Sequence, residues 1–281
     1  MLTPFADLLA ARGDGVAVAA FSCYDLETAI AALQAATVAR AGVIVLIGAR
    51  SFTGAGGELL LAALVAAARR APAAACVQLD HCDDLTVIEA ALEGGAGAVM
   101  ADGSALAYEQ NVQFVAGAVE LARAHGASVE AELGGIAGDE DVAEAVAAGA
   151  LTDPAEALDF MGRTAADCLA VSIGNVHGSY REPPCLDWAR LDGIRAKLGA
   201  PLSLHGASGI PDELIRRAIA AGIAKINVNS ELRQAYLAAT EGMIGSVLAG
   251  SRLNALHTRQ VRAVEGVIAA KLRAFDTGGS T

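Results

Sequence analysis

CVQLDHCDD, residues 76–84, is an apolar run around β-branched Val77 that ends in an Asp-His pair and an acidic cluster. That order is what a buried strand running out into a loop requires. A helical pattern follows over 84–94, and a second short apolar run, AVMADG (98–103), closes the unit. Strand, helix, strand with turn residues between them is one βα step.

The same step repeats on both sides. Strands are predicted at VAVAAFS (16–22), VIVLIG (43–48), ACVQLD (75–80), AVMADG (98–103), SVEAEL (128–133), CLAVSI (168–173), LSLHG (202–206) and KINVN (225–229). Helical spacing occupies 25–41, 57–70, 84–94, 105–125, 154–163, 187–198, 211–221 and 230–248. Eight alternations over 281 residues predict an α/β fold, a (β/α)8 TIM barrel in one domain (1–281, core about 16–250). An open doubly wound sheet also alternates, but the expected GxGxxG fingerprint is missing. An extra C-terminal helix is expected over about 252–275, and GGST reads as a disordered tail. Proline at Asp153-Pro154 and Pro211-Asp212 marks helix starts.

Composition excludes several function classes. Net charge −12, from 32 acidic and 20 basic residues, disfavours nucleic acid. The apolar runs are all shorter than the roughly 18 residues of a membrane span, and MLTPFADLLAARGDG has no basic leader region. The five cysteines are an odd set, and most lie in or beside apolar runs as buried thiols would, in a reducing, cytoplasmic setting. With lysine only at 197, 225 and 271, an anionic substrate must be held by backbone N–H groups, arginine or a metal.

Strand ends collect the polar residues: Asp80 and His81, Asp102, Glu130 and Glu132, His177, His205, Asn227 and Asn229. In a barrel of this type, chemistry sits at those C-terminal ends. Three of the five histidines therefore converge on one rim, while His125 and His257 fall on helices. Three imidazoles with an open position are the donor set of a catalytic zinc. Asp102 and Glu132 either complete that shell, hold a second cation or hydrogen-bond to the histidines. Asp80 is the candidate general acid/base, although alternation on a strand puts it and His81 on opposite faces unless a turn begins there. Asp83 or Asp84 better fills the role of helix cap. GNVHGSY (174–180), HGASG (205–209) and NVNSEL (227–232) present backbone N–H groups suited to a phosphate. Lys225 begins its predicted strand, roughly 13 Å from the rim, too far for a Schiff-base nucleophile.

LDHC, VMADGS, VEAELG followed by GDED, IGNVHGSY, LHGASG and KINVNSEL resemble, in order and spacing, the motifs of the class II (zinc-dependent) ketose-bisphosphate aldolases, which act on fructose- and tagatose-1,6-bisphosphate. The resemblance runs from about residue 16 to 235, including AFSCYDLETA. It implies reversible cleavage of a phosphorylated ketose to dihydroxyacetone phosphate and an aldehyde, through a zinc-stabilised enediolate. It further implies Zn2+ on His81, His177 and His205, with Asp102 and Glu132 at an alternative or second divalent position. Asp80 would move the proton of the C3–C4 alcohol, and Glu140 that of the enediolate carbon. Gly178, Gly206, Ala207, Ser208, Asn227, Asn229 and Ser230 match positions that bind dihydroxyacetone phosphate, and Ser51 matches a serine of some members. A monovalent cation (Na+ or K+) and a homodimer or homotetramer are also implied. The insertion at 134–153 is the natural lid. Ser22 stands where the family usually has Asn, which concerns the aldehyde end; Arg259 and Arg262 are candidates for a distal phosphate. Competing readings are a metal-dependent sugar-phosphate isomerase or epimerase, and a non-catalytic partner subunit of an aldolase.

Overall fold

The computed structural model describes residues 1–136, 138, 150–178, 180, 184–250 and 252–278. Eight parallel strands close on themselves in sequence order, the last pairing with the first. They are β1 (Val18–Ser22), β2 (Val43–Gly48), β3 (Ala75–Cys82), β4 (Ala98–Ala101), β5 (Ser128–Leu133), β6 (Cys168–Val171), β7 (Leu202–Leu204) and β8 (Ile223–Val228). Closure rules out the open sheet. The helices that follow the strands are α2 (Leu26–Ala39), α4 (Gly57–Arg70), α5 (Leu85–Glu93), α6 (Tyr108–Ala124), α7 (Pro154–Thr164), α8 (Trp188–Lys197), α9 (Asp212–Ala220) and α10 (Ser230–Leu248).

Alternation along each strand divides the interior in two. Ala19, Phe21, Val43, Val45, Val77, Leu79, Val129 and Ala131 point outward into the large core shared with the helices. Their neighbours Val18, Ala20, Ile44, Leu46, Cys76, Ala98 and Cys168 point inward and form a separate, smaller cluster. A short helix, α1 (Phe5–Ala11), packs Phe5, Leu8 and Leu9 against that inner cluster. The chain before it is tied to the start of β3 by Thr3 N–H donating to Ala75 O at 2.8 Å. One end of the barrel is thus sealed with apolar side chains. Continuing the inward parity toward the other end gives Gln78 and Asp80, Glu130 and Glu132, and Ser203 and His205.

Helix starts follow local chemistry. Asp25 and Thr28 form a capping box on α2, Asp84 accepts from Thr86 N–H at 2.7 Å, and Asp153 caps α7 ahead of Pro154. The C-terminal helix α11 (Leu253–Ala274) buries Val264, Ile268 and Leu272 in the large core and lies against α2 and α10.

The structure departs from sequence expectation in several elements. The sequence reading places no element at α1 or at a five-residue helix, α3 (Ala49–Thr53); neither has a side-chain cap to announce it. β3 runs two residues beyond 80, and β8 begins two before 225. Four thiols are buried, in line with the expectation for most of them; Cys185 is exposed, and all five are free. Most of the expected lid and the end of the GGST tail lie outside the described residues. No described helix is long and apolar enough to cross a membrane.

Candidate metal centre

At the polar end, a cavity of about 470 Å3 is lined by Asp80, His81, Asp102, Glu132 and His177, with Ser22, Arg50, Ser51 and Asn229 at its sides. Asp80 and His81 are adjacent on β3, yet both reach it. His81 has φ 44°, and the β3–β4 register shifts between Leu79 and Cys82. A bulge of this kind re-aims a side chain without ending the strand, so no turn is needed. Among the described residues, the other non-glycine positive φ values belong to Arg40 and Ala165, both helix C-caps. His81 alone carries this strain, on the order of 1–3 kcal/mol, away from a helix end, which marks it as held there for function.

The three imidazoles meet. Ring centroids are 5.0 Å apart for His81–His177, 4.9 Å for His81–His205 and 6.0 Å for His177–His205. One nitrogen from each lies within 4.8 Å of the others. His81 Nδ1 is 2.8 Å from Asp102 Oδ2, and His205 Nε2 is 2.9 Å from Glu130 Oε1. A carboxylate only accepts, so each of these nitrogens donates. In neutral rings the opposite nitrogens, His81 Nε2 and His205 Nδ1, then present lone pairs to one another at 3.0 Å. That arrangement is repulsive unless a cation or proton lies between them. Burial drives the His205 pKa down to about 4, which keeps the ring neutral. The donor set therefore fits a divalent metal.

The carboxylates separate by partner. Asp102 Oδ1 accepts from Ser104 Oγ at 2.7 Å, and Asp102 is held well below the usual carboxylate range by His81 and Ser104 against the opposing effect of burial. Glu132 Oε1 accepts from Ile136 N–H at 3.1 Å, but Oε2 is buried with no hydrogen-bond partner among the described residues, 3.9 Å from His81 Nδ1. Burial, then the Asp102 charge, raises the Glu132 pKa to about 8. An orphaned buried oxygen beside an imidazole is a second indication that a cation belongs here. His81, Asp102 and Glu132 form a possible cation group of their own.

Other expected site residues are placed less directly. Ser51 and Asn229 line the cavity, and Tyr24 donates its hydroxyl proton to Asn229 Oδ1 at 2.8 Å. Gly178, Gly206, Ala207, Ser208, Asn227 and Ser230 are buried around it without contributing to its wall. Gly206, at φ 61°, sits so close to Val176 O that a Cβ would lie 2.1 Å away. Tyr180 ties its loop to the one after β7, accepting from Val176 N–H at 2.9 Å and reaching Gly206 O at 2.8 Å. Asn227 lies beneath the site, with Nδ2 3.2 Å from Asp80 Oδ1. Glu130, expected at the rim, lies deeper and is fully buried with Lys225. Arg259 and Arg262, on α11, do not line the cavity, whereas Arg50 does. Arg50 carried no separate signal within ARSFTG; its position follows from α3, where the sequence reading placed no element. Glu140 lies outside the described residues.

Comparison with known proteins finds relatives of the whole chain. The family model for class-II fructose-bisphosphate aldolase matches residues 6–280. The D-tagatose-1,6-bisphosphate aldolase subunit GatY of Klebsiella oxytoca is 41% identical over 232 residues, 82% of this chain and 81% of that protein. The crystal structure of the YdjI aldolase from Escherichia coli K12 superposes with a TM-score of 0.86 at 30% identity, covering 99% of both chains. Fructose-bisphosphate aldolase from Campylobacter jejuni, at 17% identity, has a TM-score of 0.76 over 98% of this chain and 95% of its own, and shares the fold alone.

Proposed function

This chain belongs to the class II fructose-bisphosphate aldolase family, and on that premise we propose that it reversibly cleaves a ketose 1,6-bisphosphate of the fructose or tagatose type into dihydroxyacetone phosphate and an aldehyde. It is a carbon–carbon lyase. The observation that carries the reading is the meeting of His81, His177 and His205 beside buried Asp80. These imidazoles would hold a zinc ion, with Asp102 and Glu132 as an alternative or second position. When bound, zinc supplies Lewis acidity, polarising a substrate carbonyl and lowering the energy of negative charge beside it.

The protein's own groups do the rest. Asp80, held by the Asn227 amide, takes the proton of the alcohol that becomes the aldehyde and returns it in the condensation direction. Glu140 handles the proton on the donor carbon. Backbone N–H groups at Gly178, at Gly206–Ser208 and at the start of α10, with Asn227, Asn229 and Ser230, receive the donor phosphate, where a helix N-terminus favours negative charge. A monovalent cation, Na+ or K+, accompanies that phosphate. The acceptor end is read as Ser22, whose buried hydroxyl has no partner among the described residues, together with Ser51 and Arg50. The phosphorylated sugar is met inside a cytoplasmic homodimer or homotetramer.

Family membership does not favour an isomerase, an epimerase or a non-catalytic subunit. A coupled assay for dihydroxyacetone phosphate, with and without a chelator, tests the proposal. Metal-dependent release is expected, and chelator-insensitive activity would contradict it.

A further inference from the structure

Lys225 and Glu130 are fully buried inside the barrel, with Nζ 2.7 Å from Oε2. Neither lines the cavity, and the proposed chemistry uses neither directly. A buried ion pair is a poor way to gain stability, since apolar side chains of similar volume do as well. Its contacts suggest another purpose.

Every described neighbour of the Glu130 carboxylate is a donor. Oε1 accepts from His205 Nε2 at 2.9 Å and from the Ser203 hydroxyl, and Oε2 accepts from Gln78 Nε2 at 2.6 Å as well as from Lys225. Held on both oxygens, the carboxylate cannot turn away. It admits His205 in one tautomer alone, with the proton on Nε2 and the Nδ1 lone pair aimed at His81. Lys225 also donates to Asn227 Oδ1 at 2.5 Å. An ammonium can only donate, so this bond fixes the amide with its NH2 toward Asp80 Oδ1 and His205 Nδ1, at 3.2 and 3.3 Å.

We propose that the Lys225–Glu130 pair is a positioning device: it fixes the ligand nitrogen of His205 and, through Asn227, the carboxylate of Asp80. The inference rests on the aldolase reading and adds two residues to it. Ligand and proton carrier come from β7 and β3, and one ammonium on β8 orients both.

The test compares wild type with the double variant Glu130→Gln/Lys225→Met, which removes both charges together and so avoids leaving either one buried alone. Zinc affinity is read by competition with a chromophoric chelator, and coordination from the visible absorption of the cobalt-loaded proteins. The double variant should melt near wild type yet bind zinc about 10–100-fold more weakly, with an altered cobalt spectrum. If it folds and binds zinc as tightly as wild type, the pair is structural only and the inference fails alone. If wild type takes up no zinc, the proposed function fails with it. Should the double variant not fold, nitrogen-15 NMR of metal-free wild type decides: His205 protonated on Nε2 is expected, and protonation on Nδ1 would overturn the proposal.

Discussion

Asp80 and His81 occupy consecutive positions and serve different purposes, which a regular strand would forbid. The left-handed backbone at His81 resolves the conflict. Because Asp80 is assigned the proton and not the cation, Asp80→Asn should lower kcat about 10^2–10^4-fold while zinc content, measured by atomic absorption, stays at the wild-type level. His205→Ala should lose both. An Asp80→Asn protein that had also lost its zinc would show the aspartate to be part of the metal site. The three histidines were legible in the sequence because each follows a recognisable apolar run. The cross-barrel contact between Glu130 and Lys225 was not, because it joins β5 to β8 through the interior and no local pattern encodes which inward residues meet.

Among the elements, the loops after β6 and β7 depend on one another. Gly206 is required twice, by its φ of 61° and by the Val176 oxygen 2.1 Å from where a Cβ would stand. Gly206→Ala should therefore destabilise by at least 2 kcal/mol, roughly 4–8 °C in melting temperature, as calorimetry would show. An unchanged melting temperature would mean that these loops are not locked together. Tyr180→Phe removes the hydroxyl that bridges them and should cost about 1 kcal/mol, read from urea unfolding. Helix boundaries were legible with and without a cap: α2 and α7, capped by Asp25 and Asp153, and α4 and α10, with no side-chain cap, all lie within two residues of expectation. α1 and α3 were not expected because they are too short to show a helical period. They are seven and five residues long and lack side-chain caps, so tertiary packing, not local propensity, makes them helical.

At the scale of the whole molecule, the barrel interior changes character along its axis, from an apolar plug under α1 to a charged layer and then the cavity. Stability and chemistry are thereby assigned to opposite ends. Phe5, fully buried in the plug, should cost roughly 3–5 kcal/mol when cut to alanine, and the folded fraction should keep the wild-type kcat. A changed kcat would show that the two ends are coupled. The eightfold alternation made the barrel readable, since closure needs only repeated βα steps. The bulge, the plug and the buried pair depend on how strands face one another after closure.

The most direct test is a zinc titration of metal-stripped protein, following dihydroxyacetone phosphate released from fructose 1,6-bisphosphate and from tagatose 1,6-bisphosphate. Activity on one of them should rise from near zero and level off at one zinc per chain. Release that is already maximal without zinc, or no release from either sugar at any zinc level, would contradict the account.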